Sequence, residues 1–154
     1  EDQWEFAARG TAGRKYPWGS APEPSPQNGN LCGTECLAAV RGTAWSGLTG
    51  IANWTDPWGT TAPVADLPRA GDTPEGLIGM AGNVWEWTRT PYGRYTSRAG
   101  NATEYTRVDR NFRVFRGGGW YSHIPSVARA AYRDRVGTTG GDVGVGFRCV
   151  AEGR

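Results

Sequence analysis

Three cysteines and one histidine are the side chains of this chain best suited to redox, nucleophilic or transition-metal chemistry. Cys32 and Cys36 are separated by three residues, whereas Cys149 lies near the other end of the sequence. The C-x3-C pair forms either a local disulfide or two free thiols, and Cys149 is left over in the first case. A zinc site would need further Cys or His ligands. His123 is the only histidine, so we do not expect zinc, and no partner can be named that would make it a general base.

The composition indicates one globular unit rich in turns. The 154 residues are 38% hydrophobic and include eight tryptophans, enough for one core. The 24 glycines and 10 prolines favour irregular loops over long regular elements. Basic and acidic residues number 17 and 15 and are mixed along the chain, which gives nucleic-acid binding no support. No apolar run approaches the ~20 residues of a membrane span. We expect a soluble protein of unknown location, in the bacterial cytoplasm or at the cell surface.

Short elements must position these residues. Trp4, Ala7 and Ala8 share one face at helical spacing, which predicts a helix that ends near Gly10. Residues 16–26 are rich in Gly and Pro and predict turns. No regular period runs from residue 28 to 65, and such a long loop needs a metal or packed aromatic residues to hold it. The tryptophans at positions 45, 54 and 58 could supply part of that packing.

Four segments are typical of strands, namely 82–88, 112–116, 127–132 and 145–150. They predict an α+β fold with little regular secondary structure and short antiparallel strands. We find no internal repeat and no linker between domains.

Six blocks, in this order, resemble the formylglycine-generating enzyme (sulfatase-modifying factor) family: 4–10, 16–19, 61–64, 80–87, 113–120 and 146–149. The resemblance implies a C-type-lectin-like fold. It also implies that residues 1–154 are the C-terminal part of one such domain, whose N-terminal half is absent and is itself a candidate partner.

Active members of that family oxidise a sulfatase cysteine to formylglycine with two cysteines that follow the Gly-Gly-Ser-Tyr or Gly-Gly-Ser-Trp block. Residues 121–133 occupy that stretch here and contain no cysteine. A thiolate is needed to bind copper and to pair with the substrate thiol, and neither Ser nor His can replace it. We therefore expect no enzymatic activity. Cys149 matches a structural cysteine of the family whose partner is replaced here by the Ala7-Ala8 pair.

The resemblance also implies a structural Ca²⁺ ion. The matching ligands are the Asn30 side chain, the Leu31 carbonyl, the Asp56 carboxylate and the Trp58 carbonyl, and such oxygen donors are those that Ca²⁺ prefers. Alternatively, Asp56 only caps a turn.

A second family calcium site would use positions 79, 82, 84 and 86. Gly79 lacks the side-chain ligand found there in the family, which makes a second ion doubtful. Glu86 could instead pair with Arg129 or Arg133.

The segment 121–144 departs most from the family pattern. It resembles the variable proteins of diversity-generating retroelements, whose lectin segment is rewritten at adenine-rich codons while the scaffold stays fixed. Such codons, when they end in C, cannot encode Lys, Glu, Gln, Met or Trp, and residues 121–150 contain none of these. Lys, Gln and Met are scarce throughout, so only the missing Glu and Trp carry information.

We therefore predict a ligand-binding surface for a protein or other ligand. Its residues are Trp120, Tyr121, Ser122, His123, Ile124, Ser126, Val127, Tyr132, Asp134, Arg135, Val136, Gly137, Asp142 and Val143. Alternatively, Tyr132 and Val127 belong to the core and the glycines form a surface loop. The functional alternatives are a formylglycine-generating-type oxidase and a sensor domain of a signalling protein.

Overall fold

The computed structural model describes residues 1–95, 105–139 and 142–151. Its elements are two α-helices, α1 (Asp2–Arg9) and α2 (Thr34–Ala39), and four strands, β1 (Trp85–Tyr95), β2 (Tyr105–Arg116), β3 (Arg133–Gly137) and β4 (Val145–Gly146). Short 3-10 helices cover Val64–Asp66, Arg69–Gly71 and Pro125–Ala128. The predicted α+β class is confirmed. No helix within the described ranges has the length and apolar character needed to cross a membrane.

The four strands form one sheet in the order β3-β2-β1-β4. Strand β2 pairs antiparallel with β1 and β3, whereas β4 pairs parallel with β1. The expectation of antiparallel strands therefore fails at β4, which lies at the edge opposite β3. Register shifts interrupt the β1–β2 pairing around Pro91. A proline has no N–H to give to the ladder, which accounts for an irregularity at this position.

Two further predictions need correction. The predicted strand at 127–132 is wrong, because Val127 and Ala128 belong to a buried 3-10 helix and β3 begins only at Arg133. Pro125 begins that 3-10 turn, where its missing N–H costs nothing. The segment 28–65 contains α2, which at six residues is too short to show a helical period in the sequence.

Alternation along the strands gives the sheet two sides. The helix side carries Glu86, Arg116 and Arg133, and α1 packs here through Trp4, whose indole donates to Glu86 at 2.6 Å. The other side, which we call the loop side, carries Phe115 and Asp134. Successive side chains of a strand point to opposite faces, so residues paired across strands share a side.

The helix side is joined by ion pairs. The guanidinium of Arg116 is fully buried and contacts the carboxylates of Glu1 at 2.6 Å and Glu5 at 2.8 Å. Arg133 binds both carboxylate oxygens of Glu1 at 2.8 Å. Burial raises the pKa of Glu1, but hydrogen bonds from Arg133 and Tyr95 and the charge of Arg116 hold it below its ordinary value. Helix α1 is thus linked to β2 and β3 by charge.

The loop side holds the main core. Leu31, Trp54, Trp85, Phe115 and Val127 form one buried cluster. The tryptophans expected to hold the long loop do so in part, since Trp54 is buried in this cluster. A polar contact also holds the loop.

That contact is made by Asn83, in a left-handed backbone conformation with φ 67°. Its side chain accepts from the Ala62 N–H at 2.7 Å and from Asn30 Nδ2 at 3.2 Å, and donates to the Ala62 carbonyl at 3.1 Å. These bonds tie the start and the end of the loop to the residues that precede β1.

Candidate functional site

The predicted binding residues divide by exposure. His123, Ile124, Ser126, Asp134, Arg135, Asp142 and Val143 are exposed, and Tyr121, Tyr132, Val136 and Gly137 are half-buried. Trp120, Ser122 and Val127 are buried, so their inclusion in the predicted surface needs correction. Val127 is part of the main core, and Trp120 packs on Cys32, Cys36 and Val40. Ser122 instead closes a turn, where its hydroxyl accepts from the Gly119 N–H at 3.1 Å.

Tyr121 lies at the centre of the exposed set. Its ring contacts Trp45 and Trp120, with centroid separations of 5.4 Å and 5.5 Å. Asp142 accepts from the N–H of Gly144 at 2.8 Å, and Gly144 packs against the Tyr121 ring. Burial, together with the negative charge of Asp142, raises the pKa of the Tyr121 hydroxyl. The two ends of the predicted segment, 121–144, therefore meet at Tyr121.

Gly144 leaves room for the Tyr121 ring. A Cβ at position 144 would lie 2.1 Å from Cε1 of Tyr121. The Gly144 carbonyl also accepts from the N–H of Trp85 at 2.7 Å, which ties it to β1. The small residue and the large ring therefore fit each other.

Strand β3 divides the predicted set between the two sides of the sheet. Asp134 and Val136 lie on the loop side, opposite Phe115 and Arg113 of β2. Arg135 points to the helix side, where its guanidinium lies over the rings of Tyr92 and Phe112 at 5.3 Å and 4.8 Å. Arg135 therefore does not belong to the surface around Tyr121. Gly137 pairs with Phe112 and has no side chain to offer.

The loop side around Tyr121 and Tyr132 is acidic. Burial raises the pKa of Tyr132, and the negative charge of Asp134 adds to this effect. The charge of Asp134 also contributes to the raised pKa of Tyr121, so this carboxylate lies near both phenols. Neither Asp134 nor Asp142 forms an ion pair with any residue that the structure describes.

Cys32 and Cys36 form a disulfide, which decides between the two alternatives left open by the sequence. Both are buried beneath this surface, in the cluster on which Trp45 and Tyr121 pack. The chain thus holds a cysteine pair, but not within 121–133. Cys149 is a free, exposed thiol. It lines a groove of about 370 Å³ with Trp4, Ala7 and Trp87, next to α1. That position suits the predicted match to a cysteine facing the opening helix.

The four predicted calcium ligands fall within one connected region. Asp56 is buried, and its carboxylate accepts from the N–H of Leu31 at 3.3 Å, that of Trp58 at 3.0 Å and Trp54 Nε1 at 3.0 Å. Burial raises its pKa above the ordinary value, while these hydrogen bonds lower it. The side-chain oxygen of Asn30 is buried and has no hydrogen-bond partner among the described residues.

The Asn30 oxygen fits a calcium ligand, because a buried amide oxygen without a donor is costly unless something compensates it. The Asp56 carboxylate already accepts three N–H groups, which offset part of the cost of its burial and leave its negative charge for a cation. The prediction of Asp56 as a turn cap is also met in part, since it accepts the Trp58 N–H. No cluster of three or more His, Cys, Asp or Glu suited to a metal occurs in the described ranges, so this donor set depends on amide and carbonyl oxygens.

The second calcium position holds a guanidinium instead. Arg148 binds both oxygens of Glu86, at 2.5 Å and 2.6 Å. It also donates to the carbonyls of Ile78 at 3.1 Å and Gly79 at 3.4 Å. The suggested partners of Glu86, Arg129 and Arg133, are therefore wrong. A cationic side chain already meets the oxygens that would surround a second ion.

Trp45 is the residue of the site that sequence reasoning missed. It comes from the loop after α2 and is half-buried against Trp120 and Tyr121. The sequence did indicate that its ring helps to hold the long loop, but nothing in the spacing showed which segment it contacts. The exposed surface is therefore built from two separate parts of the chain.

A family model described as "Sulfatase-modifying factor enzyme 1-like domain" matches residues 1–153. The chain is 31% identical over 157 residues to "Inactive C-alpha-formylglycine-generating enzyme 2" of Bos taurus. It is 29% identical over 163 residues to "Formylglycine-generating enzyme" of Mycobacterium tuberculosis. These alignments cover 98% and 99% of the chain, but only 42% and 50% of the relatives. The chain thus spans half or less of the length of these curated relatives.

Two solved structures show the same fold. PvdO from Pseudomonas aeruginosa matches with a TM-score of 0.62 and 19% identity, over 94% of this chain and 48% of that one. Variable protein 1 of Treponema denticola matches with a TM-score of 0.59 and 19% identity, over 94% of this chain and 43% of that one. The expected C-type-lectin-like fold of the formylglycine-generating type is confirmed.

Proposed function

The chain belongs to the sulfatase-modifying factor family, and on that premise we propose that it is a ligand-binding domain without catalytic activity. The observation that carries the proposal is the exposed loop-side surface around Tyr121. It combines aromatic and apolar side chains with adaptable polar ones and contains no thiol. Rigid aromatic anchors among small residues are typical of protein recognition surfaces. We call this surface the loop-side surface. Its residues are Trp45, Tyr121, His123, Ile124, Ser126, Tyr132, Asp134, Val136, Asp142 and Val143.

None of the three cysteines offers a free thiol at the loop-side surface, which argues against oxidase activity. Oxidation of a substrate cysteine through a mixed disulfide requires an accessible thiolate beside the bound substrate. Cys32 and Cys36 are joined and buried, and Cys149 lies beside α1. His123 has no hydrogen-bonded side-chain partner among the described residues, which leaves it without an orienting group. An inactive relative in the same family agrees with this proposal.

We propose further that the loop-side surface is a diversified one, as in variable proteins of diversity-generating retroelements. The scaffold contacts support this division. The buried core and the helix-side ion pairs lie largely outside 121–144, whereas most predicted positions within it are exposed or half-buried. The shared fold of a protein named variable protein 1 adds support.

We propose Ca²⁺ as a structural cofactor at Asn30, Leu31, Asp56 and Trp58. The ion would neutralise the buried Asp56 carboxylate and give the free Asn30 oxygen a partner. Its role would be to hold the segment that begins at Leu31 and leads to Trp45, and so to fix one part of the loop-side surface.

The alternative is a formylglycine-generating-type oxidase, because the chain is also similar to the formylglycine-generating enzyme of Mycobacterium tuberculosis. A thiol oxidation assay separates the two. The chain and that enzyme are incubated with copper and the same cysteine-containing sulfatase peptide, and the peptide is analysed by mass spectrometry. We expect formylglycine only with the enzyme. Conversion by this chain would overturn the proposal.

Sequencing of the encoding locus tests the diversification. We expect a reverse transcriptase gene and a near-identical template repeat that matches codons 113–150 except at adenines. A locus without such a repeat would rule out diversification by this mechanism. Genes fused upstream would instead show whether the domain serves a signalling protein as a sensor.

A further inference from the structure

The loop-side surface presents apolar side chains to solvent, together with two carboxylates that form no ion pair with a described residue. Ile124 is 41% exposed and Val143 is 66% exposed. Asp142 lies beside Val143 in the sequence and accepts from the N–H of Gly144, which packs against the Tyr121 ring. Asp134 pairs with Phe115, which belongs to the core cluster on which Tyr121 and Tyr132 pack. Apolar surface of this kind marks a contact site when it is rimmed by polar groups.

Basic side chains that could balance these carboxylates are directed elsewhere. Arg133 and Arg135 project to the helix side. Arg113 shares the loop side with Val136, but its guanidinium donates to the backbone carbonyls of Arg110 at 3.0 Å and Phe112 at 3.3 Å. Arg129 is exposed, and its positive charge adds to the hydrogen bonds of Lys15 and Tyr16 that lower the pKa of Glu23. The other titratable side chain of the segment is His123, which is exposed.

The rings and the carboxylates favour the same kind of ligand. The face of an aromatic ring attracts a cation, and the aliphatic stem of Lys or Arg can cover apolar surface while its charged end reaches a carboxylate. An acidic ligand, including a nucleic-acid backbone, would place like charges together, which is unfavourable. Charge and apolar character therefore point to one class of partner.

We propose that the loop-side surface binds a protein segment that presents a Lys or Arg side chain between apolar side chains, with the cation held by Asp134 and Asp142. This inference rests on the proposed binding function and specifies its partner. The cationic group lies near Tyr121 and Tyr132, and the apolar neighbours pack on Ile124, Val143 and Trp45.

Selection from a library of random displayed peptides tests the inference on the whole chain. Selected peptides are measured against four proteins: the parent chain, D134N/D142N, D66N and I124S/V143S. Asparagine keeps an oxygen that accepts from the N–H of Gly144 or of Arg135 but removes the charge. Asp66 is the matched control, because it is exposed and forms no ion pair with a described residue. Ile124 and Val143 are exposed enough for serine to leave the core intact.

We expect the selected peptides to be enriched in Lys and Arg over the input library. Their affinity should fall about tenfold on D134N/D142N, as expected for the loss of two charge contacts, and should not change on D66N. Higher salt should weaken binding to the parent chain more than to D134N/D142N.

Two outcomes would overturn the inference and can be told apart. Peptides that lose affinity on I124S/V143S but show neither enrichment nor a response to D134N/D142N would leave the proposed binding function intact and exclude a cationic partner. If no selected peptide responds to I124S/V143S or to D134N/D142N, the loop-side surface does not bind, and the proposed function fails together with the inference.

Discussion

Neighbouring residues of β3 use their charges in different ways on the two sides of the sheet. Arg133 on the helix side binds the buried carboxylate of Glu1 at 2.8 Å, whereas Asp134 on the loop side is exposed and has no ion-pair partner in the described ranges. The helix side satisfies its charges internally and so joins elements of the fold. The loop side leaves its charges to solvent, where they cost little and stay available to a ligand. The main hydrophobic core also lies on the loop side, so the two sides differ in how they use their charges.

The largest expected effect is that of Arg116→Met on the helix side. The change removes the buried guanidinium from the carboxylates of Glu1 and Glu5, which keep Arg133 and Arg9 as their other partners. Breaking a buried pair costs about 3–5 kcal/mol of the free energy of unfolding, and the remaining partners place the expected loss at the lower end of that range. Urea denaturation measures it. The control is Arg135→Met, whose exposed guanidinium stacks on two rings and contributes about 0.5–1 kcal/mol. Equal losses in the two variants would break the comparison.

Calcium should act on the loop side alone. At a hundredfold excess over its Kd, an ion that binds only the folded state adds about 2.7 kcal/mol. Thermal unfolding in Ca²⁺ and in EGTA measures this gain, which Asp56→Asn should abolish and Asp66→Asn should leave unchanged. A gain that persists in Asp56→Asn would place the ion elsewhere.

The pH dependence of the calcium effect follows from Asp56. Burial raises its pKa above the ordinary 3.8, so protons compete with the ion. The stabilisation by calcium should therefore grow as the pH rises through that raised pKa. Without calcium the sign reverses, because ionisation of a buried, unpaired carboxylate destabilises the folded state.

Gly144→Ala should disturb the loop-side surface with a moderate loss of stability. Its Cβ would lie 2.1 Å from the Tyr121 ring, and such overpacking costs about 1–3 kcal/mol. Because Trp45 and Trp120 contact that ring, tryptophan fluorescence should change as well. Gly47→Ala is the matched control, since nothing lies within 4 Å of a Cβ at that position. An unchanged spectrum in Gly144→Ala would contradict the packing described for Tyr121.

Tyr121→Phe has the smallest expected effect. It keeps the ring and removes a hydroxyl that lies near the carboxylate of Asp142, a polar contact worth at most about 0.5–1.5 kcal/mol. Tyr132→Phe serves as the control, because the Tyr132 hydroxyl has no hydrogen-bond partner among the described residues. Denaturation in urea should separate the two variants. A larger loss for Tyr132→Phe would show that Asp142 does not hold Tyr121.

The sequence predicted what depends on local pattern. Helix α1 follows from the spacing of Trp4 and Ala8, and the start of β1 and the end of β2 follow from alternation. Exposure was predicted for Ile124 and Val143 and is found. The start of the short strand β4 was predicted correctly. Its parallel pairing with β1 was not, because that depends on the order of the strands in the sheet.

Long-range contacts could not be predicted. Nothing local joins Glu86 to Arg148, or Trp45 to Tyr121, because each pair is brought together by the whole fold. The sequence left Val127 open between surface and core, and it is buried because it lies in a 3-10 helix where a strand had been expected. The sequence could have shown that Arg135 and Asp134 lie on opposite sides of the sheet, since this follows from strand alternation alone.

That alternation also restricts which mutations the gene can accept. Replacing one residue of Arg133–Gly137 by another changes a single side of the sheet. Deleting or inserting one residue would shift the register and exchange the two sides, so that an arginine would face the ligand and an aspartate would face Glu1. Relatives of this chain should therefore differ in β3 by substitution and conserve its length. Point mutations satisfy this restriction, whereas short insertions and deletions do not.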